Sequence, residues 1–362
     1  MQFTSNSTEG TLDQASTEDT TNPLDQYSLY GSSAELVAQK MQEVPVLKGI
    51  ALFGQATVIY APPNTGKTLV SLALLKEAIE HGRIHPKNVY YINMDDTFNG
   101  LAEKSAFADA NGFQYLARGQ KGFEVESLRT SMATMIAEDT AKGCVVLLDT
   151  LKKFTDLMDK TKSSSFADLV RAFVSKGGTV IAFAHTNKNL GVNGRNQYGG
   201  TSDIIDDFDC GFIMEEVSIE GKDDLKVVEF RNVKMRGAVD ELKYYEYLSG
   251  SDVPYAGKLA SVREVLPEEL ELLKAKVQMS RDGDAIDAIC KLIGEGVIQK
   301  MELAKKVGDI TGLSRQTALK VLDRYTGTDQ ACHLWTVRTA ARGAKLYKLL
   351  PGVHVAADDS EY

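Results

Sequence analysis

Apolar runs of four to six residues at 56–60, 89–94, 145–148 and 179–183 alternate along the chain with stretches at 68–79, 100–109, 124–142 and 166–175 that read as helices. Runs this short and this largely apolar are buried on both faces, and the intervening helices supply the cover. The pattern therefore predicts an α/β fold with a mostly parallel sheet flanked by helices. Farther on, 210–215, 226–230 and 244–248 mix aromatic and β-branched residues with polar ones and predict an antiparallel extension of that sheet. The order of the strands does not follow from the pattern.

The two ends of the chain read differently. Residues 1–30 are rich in Ser, Thr, Asn and acidic residues, with little to bury, and predict a disordered acidic tail. Ser32 and Ser33 offer a cap to a helix over 34–43, and Pro45 ends it, within an α/β domain spanning 31–250. Residues 251–281 read as a linker carrying one helix at 267–276, opened by Pro267. Within 282–351, three short helical patterns lie at 284–294, 300–307 and 314–324, with a turn over 308–313 and Ser314 as the last cap. Two further runs, 334–338 and 345–349, flank Gly343 as a hairpin, and three helices plus a hairpin predict a small winged-helix domain. Residues 352–362 form an acidic tail.

Composition narrows the class. With 43% hydrophobic and 25% charged residues, no apolar run long enough to cross a membrane and no opening signal peptide, the expectation is a cytoplasmic protein without a membrane partner. The four cysteines lie far apart with no CxxC pair, so neither a zinc site nor a disulfide framework is suggested. A net charge of -9 argues against a surface that coats nucleic acid throughout. Local basic surfaces stay open, because 281–350 holds twelve basic against eight acidic residues.

Between the first apolar run and the first helix stand Ala61, Pro62, Pro63, Asn64, Thr65, Gly66, Lys67 and Thr68. In a P-loop of this form, successive backbone N–H groups and the start of the following helix surround the phosphates of ATP. Gly66 permits close approach, Lys67 reaches the outer phosphates and the Thr68 hydroxyl ligates Mg2+. The usual first glycine is replaced by Ala61. Asp149 ends the run 144–149, where a carboxylate can hold the same metal through water. Asp95 and Asp96 follow the run 89–94 and are candidates to activate a water molecule.

Together these features resemble the RecA superfamily, and within it the RepA-like and DnaB-like ring helicases and their ATPase relatives, over roughly residues 40–250. The resemblance implies a RecA-like core and a water-polarising carboxylate after the second strand. Asp95 best matches that position, with Asp96 the fallback, although the family carries Glu there. His185, after the run 179–183, resembles the family's sensor of the γ-phosphate. Lys234 and Arg236, in the stretch 230–237, resemble the family's KxR element, which reaches the nucleotide of a neighbouring subunit. The resemblance further implies an oligomer, a hexameric ring above all.

The loops after two of the core strands, 151–162 and 187–200, match segments that grip single-stranded DNA in such rings. Lys152 and Lys153 lie in the first, and Lys188, Arg195 and Tyr198 in the second. In the winged helix, Arg315 and Lys320 would face outward on a recognition helix, although many winged helices bind protein instead. The leading expectation is an ATP-driven motor on single-stranded DNA, a replicative helicase of a plasmid, phage or mobile element, with a replication or recombination partner. Two alternatives stand beside it: a RecA-like ATPase switch that loads or regulates without unwinding, and a DNA-binding regulator in which the ATPase sets only the oligomeric state.

Overall fold

The computed structural model describes residues 22–39, 43–155, 160–187, 202–219, 224–340 and 343–353. The chain divides into two units, Met1–Gln42 and Glu43–Tyr362. In the first, the described residues form a 3-10 turn, Asp25–Tyr27, and a helix α1, Ser33–Gln39. Leu24, Tyr27, Leu29, Tyr30 and Val37 of this unit are exposed.

The second unit opens with a small antiparallel pair, β1 (Pro45–Leu47) and β2 (Ala51–Leu52). Then come β3 (Ala56–Ala61), α2 (Lys67–Glu80), β4 (Val89–Asn93), α3 (Phe98–Asn111), β5 (Gln114–Ala117), α4 (Val125–Ala137) and β6 (Val145–Asp149). After them lie α5 (Lys160–Ser175), β7 (Thr179–His185), α6 (Ser202–Asp207), β8 (Cys210–Val217), β9 (Leu225–Lys234) and β10 (Leu242–Leu248). Next are α7 (Tyr255–Ala260), β11 (Arg263–Val265) and α8 (Pro267–Arg281).

Nine of these strands form one sheet in the order β11-β10-β9-β8-β3-β7-β6-β4-β5. The six from β8 to β5 run parallel, while β9, β10 and β11 add antiparallel. The expected α/β architecture with a mostly parallel sheet is thus present. One detail differs: β8 was expected in the antiparallel extension, yet it pairs parallel with β3 on one side and antiparallel with β9 on the other. The segment read as a linker carries α7 and β11 as well as its helix, and β11 extends the sheet.

Strand alternation divides the core between the two faces of the sheet. Ile59, Tyr91, Val145, Leu147, Ile181 and Phe183 pack with Leu69, Val70 and Leu72 of α2 on one face. Val58, Tyr60, Ile92, Val146, Leu148, Val180 and Ala182 pack with Leu128 and Met132 of α4 and Phe166, Val170 and Phe173 of α5 on the other. Each buried Val, Leu, Ile, Phe or Met among them contributes about 1.5–3 kcal/mol relative to exposure. The parallel strands are therefore held rigidly, and their C-terminal ends form a fixed row.

After α8 come α9 (Gly283–Gly294), α10 (Lys300–Thr311), α11 (Arg315–Arg324) and the antiparallel pair β12 (Trp335–Thr339) and β13 (Lys345–Leu349). Their core holds Ile289, Leu303, Val307, Val321, Leu322 and the fully buried Trp335. The indole N–H of Trp335 donates to the Leu322 carbonyl at 2.8 Å and to Thr326 Oγ1 at 3.0 Å. Asp282, at the junction of α8 and α9, accepts from Tyr325 Oη at 2.9 Å and Gln278 Nε2 at 3.2 Å, and pairs with Arg324.

Candidate functional site

A strand that ends where a helix must begin leaves the intervening backbone free of both ladders. Between β3 and α2 the loop turns through Asn64 at φ 62° and Gly66 at φ 85°, the left-handed region that glycine enters without strain. A Cβ on Gly66 would stand 2.4 Å from the Tyr247 hydroxyl, so the position is closed to side chains on steric grounds too. Tyr247 Oη donates to the Thr65 carbonyl at 3.1 Å and Thr65 Oγ1 donates to the Pro62 carbonyl at 2.8 Å, which fixes the loop from both sides. Burial pushes the Tyr247 phenol up to about 12, so it stays a donor. Gly66 caps α2 with no side-chain hydrogen bond. The first N–H groups of the helix therefore have no cap side chain to satisfy them, an arrangement that can receive an anion.

The strand row supplies the rest. Ala61 is level with His185 on β7, Phe183 with Asp149 on β6, and Asp149 with Asn93 on β4. Pro62, Pro63, Asn64, Thr65, Gly66, Lys67, Thr68, His185, Asp149 and Asp95 therefore gather at one edge of the sheet. This edge, at the carboxyl ends of parallel strands where the chain changes direction across the sheet, is where α/β proteins bind ligands.

Thr68 and Asp149, 81 residues apart, meet directly: the Thr68 hydroxyl donates to Asp149 Oδ2 at 2.7 Å. The same oxygen accepts from Tyr91 Oη at 2.9 Å and faces Asn93 Nδ2 at 3.5 Å, while Asn93 Nδ2 also donates to Tyr91 Oη at 2.9 Å. Asp149, Asn93 and Tyr91 are all buried. Burial, and after it the Asp149 carboxylate, pushes the Tyr91 phenol well above its ordinary value, so it remains a donor beneath Asp149.

Charge at this edge is mixed. Burial pushes the Lys67 ammonium down, Asp149 and Asp95 oppose that shift, and Lys152 adds to it. Burial likewise lowers the His185 imidazole, with Lys67 and Lys152 adding their repulsion. His185 is therefore neutral at pH 7, and its buried Nδ1 has no hydrogen-bond partner. Thr150 Oγ1, next to Asp149, is a second buried polar atom without a partner.

Asp95 and Asp96 differ. Asp96 is 13% exposed, paired with Lys104 and within 3.4 Å of Asn93 Nδ2. Asp95 is 48% exposed and its Oδ1 lies 2.9 Å from Lys153 Nζ. Of the two, Asp95 is the carboxylate open to a ligand.

Lys234 and Arg236 lie at the opposite end of the sheet. Lys234 Nζ donates to the Ile205 carbonyl at 2.9 Å, and Arg236 Nη1 pairs with Asp209 Oδ1 at 3.0 Å. Arg171 pairs with the same carboxylate at 2.8 Å, and the Ala56 N–H donates to it at 3.0 Å. Burial opposes ionisation of Asp209, but the Ala56 amide and the two guanidinium groups outweigh it and hold the carboxyl below its ordinary value. Ala56 begins the strand that Ala61 ends, so the length of β3, roughly 17 Å, separates this cluster from the P-loop.

Arg315 and Lys320 are exposed on α11 while Ala318, Val321 and Leu322 face inward. Lys188, Arg195 and Tyr198 lie outside the described residues. Sequence reasoning missed Tyr91, Asn93 and Tyr247. For the first two a signal existed: polar groups two residues apart share one face of an otherwise apolar strand. No family model matches the chain, and no curated protein does either.

The residues at this edge could hold a nucleotide with its metal. Among the described residues no cluster of three or more His, Cys, Asp or Glu could cage an ion, whereas one hydroxyl and one carboxylate in contact suit Mg2+. That ion keeps most of its water and shares phosphate oxygens with its substrate.

Proposed function

We propose that this chain is an ATP-hydrolysing motor on single-stranded DNA, with a RecA-like core of the RepA or DnaB type and a C-terminal winged helix, working as a replicative helicase in a homo-oligomeric ring. The observation that carries the ATPase part is the 2.7 Å contact of Thr68 with Asp149 at a helix N-terminus whose cap residue, Gly66, makes no side-chain hydrogen bond. In this reading the P-loop amides and Lys67 hold the phosphates, and Thr68 and Asp149 would hold Mg2+, which would supply positive charge against them. Asp95 takes the proton of the attacking water, and neutral His185 offers a ring nitrogen to the terminal phosphate. Tyr91 and Asn93 keep Asp149 oriented.

The ring is supported by the placement of Lys234 and Arg236. At the far end of the sheet they cannot serve the nucleotide of their own chain, but a neighbour stacked end to end would receive them at its P-loop. The exposed cations of α11 suit docking on DNA.

ATP turnover with and without a single strand, together with strand displacement at a fork, tests the reading. Wild type should hydrolyse faster with DNA and unwind, and Lys67→Ala should lose roughly 10²-fold in turnover. If the strand neither stimulates hydrolysis nor is displaced, the motor is disproved. Asp95 in place of Glu favours the second reading, a slow ATPase switch for loading or regulation. Nucleotide-dependent assembly without strand displacement would select it.

A further inference from the structure

The 3-10 turn that follows Asp149, Leu151–Lys153, delivers two ammonium groups to the nucleotide edge. Its backbone is pinned: Leu151 is 1% and Phe154 2% exposed, and Arg129 Nη2 donates to the Phe154 carbonyl at 3.0 Å. The lysine side chains are not buried. Lys153 is 33% exposed, and its partner Asp95 is the open carboxylate of the pair Asp95 and Asp96. An ion pair between two such groups is weak enough for another anion to exchange into it. Lys153 also lies in the loop, 151–162, expected to grip a single strand, so one side chain belongs to that loop and pairs with Asp95.

We propose that Lys153 is a positioning residue that holds Asp95 away from the attacking water until a phosphodiester strand takes its ammonium group. The proposal rests on the reading of Asp95 as the water-activating group. Lys152, near enough to weigh on both Lys67 and His185, extends the same cationic turn toward the nucleotide. A phosphate arriving at Lys153 thus frees Asp95 without moving the P-loop, and hydrolysis becomes conditional on bound nucleic acid. The terminal phosphate of the bound nucleotide has the same chemistry, and arms with and without a strand separate the two sources.

The test is ATP turnover by the full chain, with and without a thymidine oligonucleotide, for wild type, Lys153→Gln and Lys153→Arg, beside binding of a fluorescent ATP analogue. The expected result is a strand-free rate raised roughly twofold to fivefold in Lys153→Gln, with the strand's stimulation gone. Lys153→Arg, which restores a cation, should keep the wild-type stimulation ratio. A strand-free rate in Lys153→Gln at or below wild type, or an unchanged stimulation ratio, overturns the proposal. So does a wild type already at full rate without the strand, which would assign the exchange to the nucleotide's own phosphate. Analogue binding without turnover in any arm defeats the proposal and leaves the P-loop reading intact. Absence of binding defeats that reading, and the proposal with it.

Discussion

At the scale of residues, the site joins the buried Tyr91, Asn93 and Asp149 to the partly exposed Lys67, Thr68 and His185. His185 is the group whose state is most open to pH. Its folded-state pKa lies below the ordinary value of 6.5, so the unfolded chain takes up its proton first. Stability should therefore fall as pH drops below about 6.5 toward the folded value, and His185→Gln should flatten that dependence between roughly pH 5 and 7. Urea midpoints across the range check this, and equal slopes in the two proteins would refute it. The positions of Lys67, Thr68 and Asp149 were legible because they follow from local spacing: a loop between strand and helix, and a carboxylate at a strand end. Tyr91 and Asn93 left only a faint mark, two polar groups on one face of an apolar strand, and Tyr247 left none. They reach the site through sheet register and strand order, which join β4 to β6 and bring β10 over the P-loop from 182 residues away.

Elements were legible wherever a cap or a long apolar run marked them, and less so where the marker was ambiguous. The Ser314 side chain accepts from the Thr317 amide at 3.1 Å and caps α11 as expected. Ser314→Ala should cost about 1 kcal/mol, seen as a lower melting temperature of the full chain. An unchanged melting curve would mean that the cap is replaced by water. The end of α10 was misread because two glycines compete for it. The turn was expected from Gly308, but the helix runs to Thr311, and Gly312, at φ 74°, is the residue that ends it. Similarly, α4 stops at Ala137 rather than near Lys142, with Asp139 at φ 56° turning the chain out. Strands β5 and β11 passed unseen because four and three residues carry too little periodicity, and their edge positions need no apolar run.

For the whole molecule, the two ends of the sheet are chemically unlike: the loop before α2 with the Thr68–Asp149 contact at one, and a cluster of Lys234, Arg236, Arg171 and Asp209 at the other. In the proposed ring, Arg236→Ala keeps its own phosphate cradle but fails its neighbour, whereas Lys67→Ala does the reverse. Each variant alone should be inactive in ATP turnover. Mixed in equal amounts, they should recover activity at those junctions where an intact cradle meets an intact cation. No recovery on mixing would mean that the pair does not act between chains.

That polarity also sets how activity grows with assembly. If a working site needs one end from each of two copies, an open row always carries one orphan cradle and one orphan cationic end, and a lone copy has no complete site at all. Closing the row converts its last idle pair into a working one. Turnover per chain should then climb with protein concentration and level off only once closed assemblies dominate. Dilution would silence the protein without unfolding it.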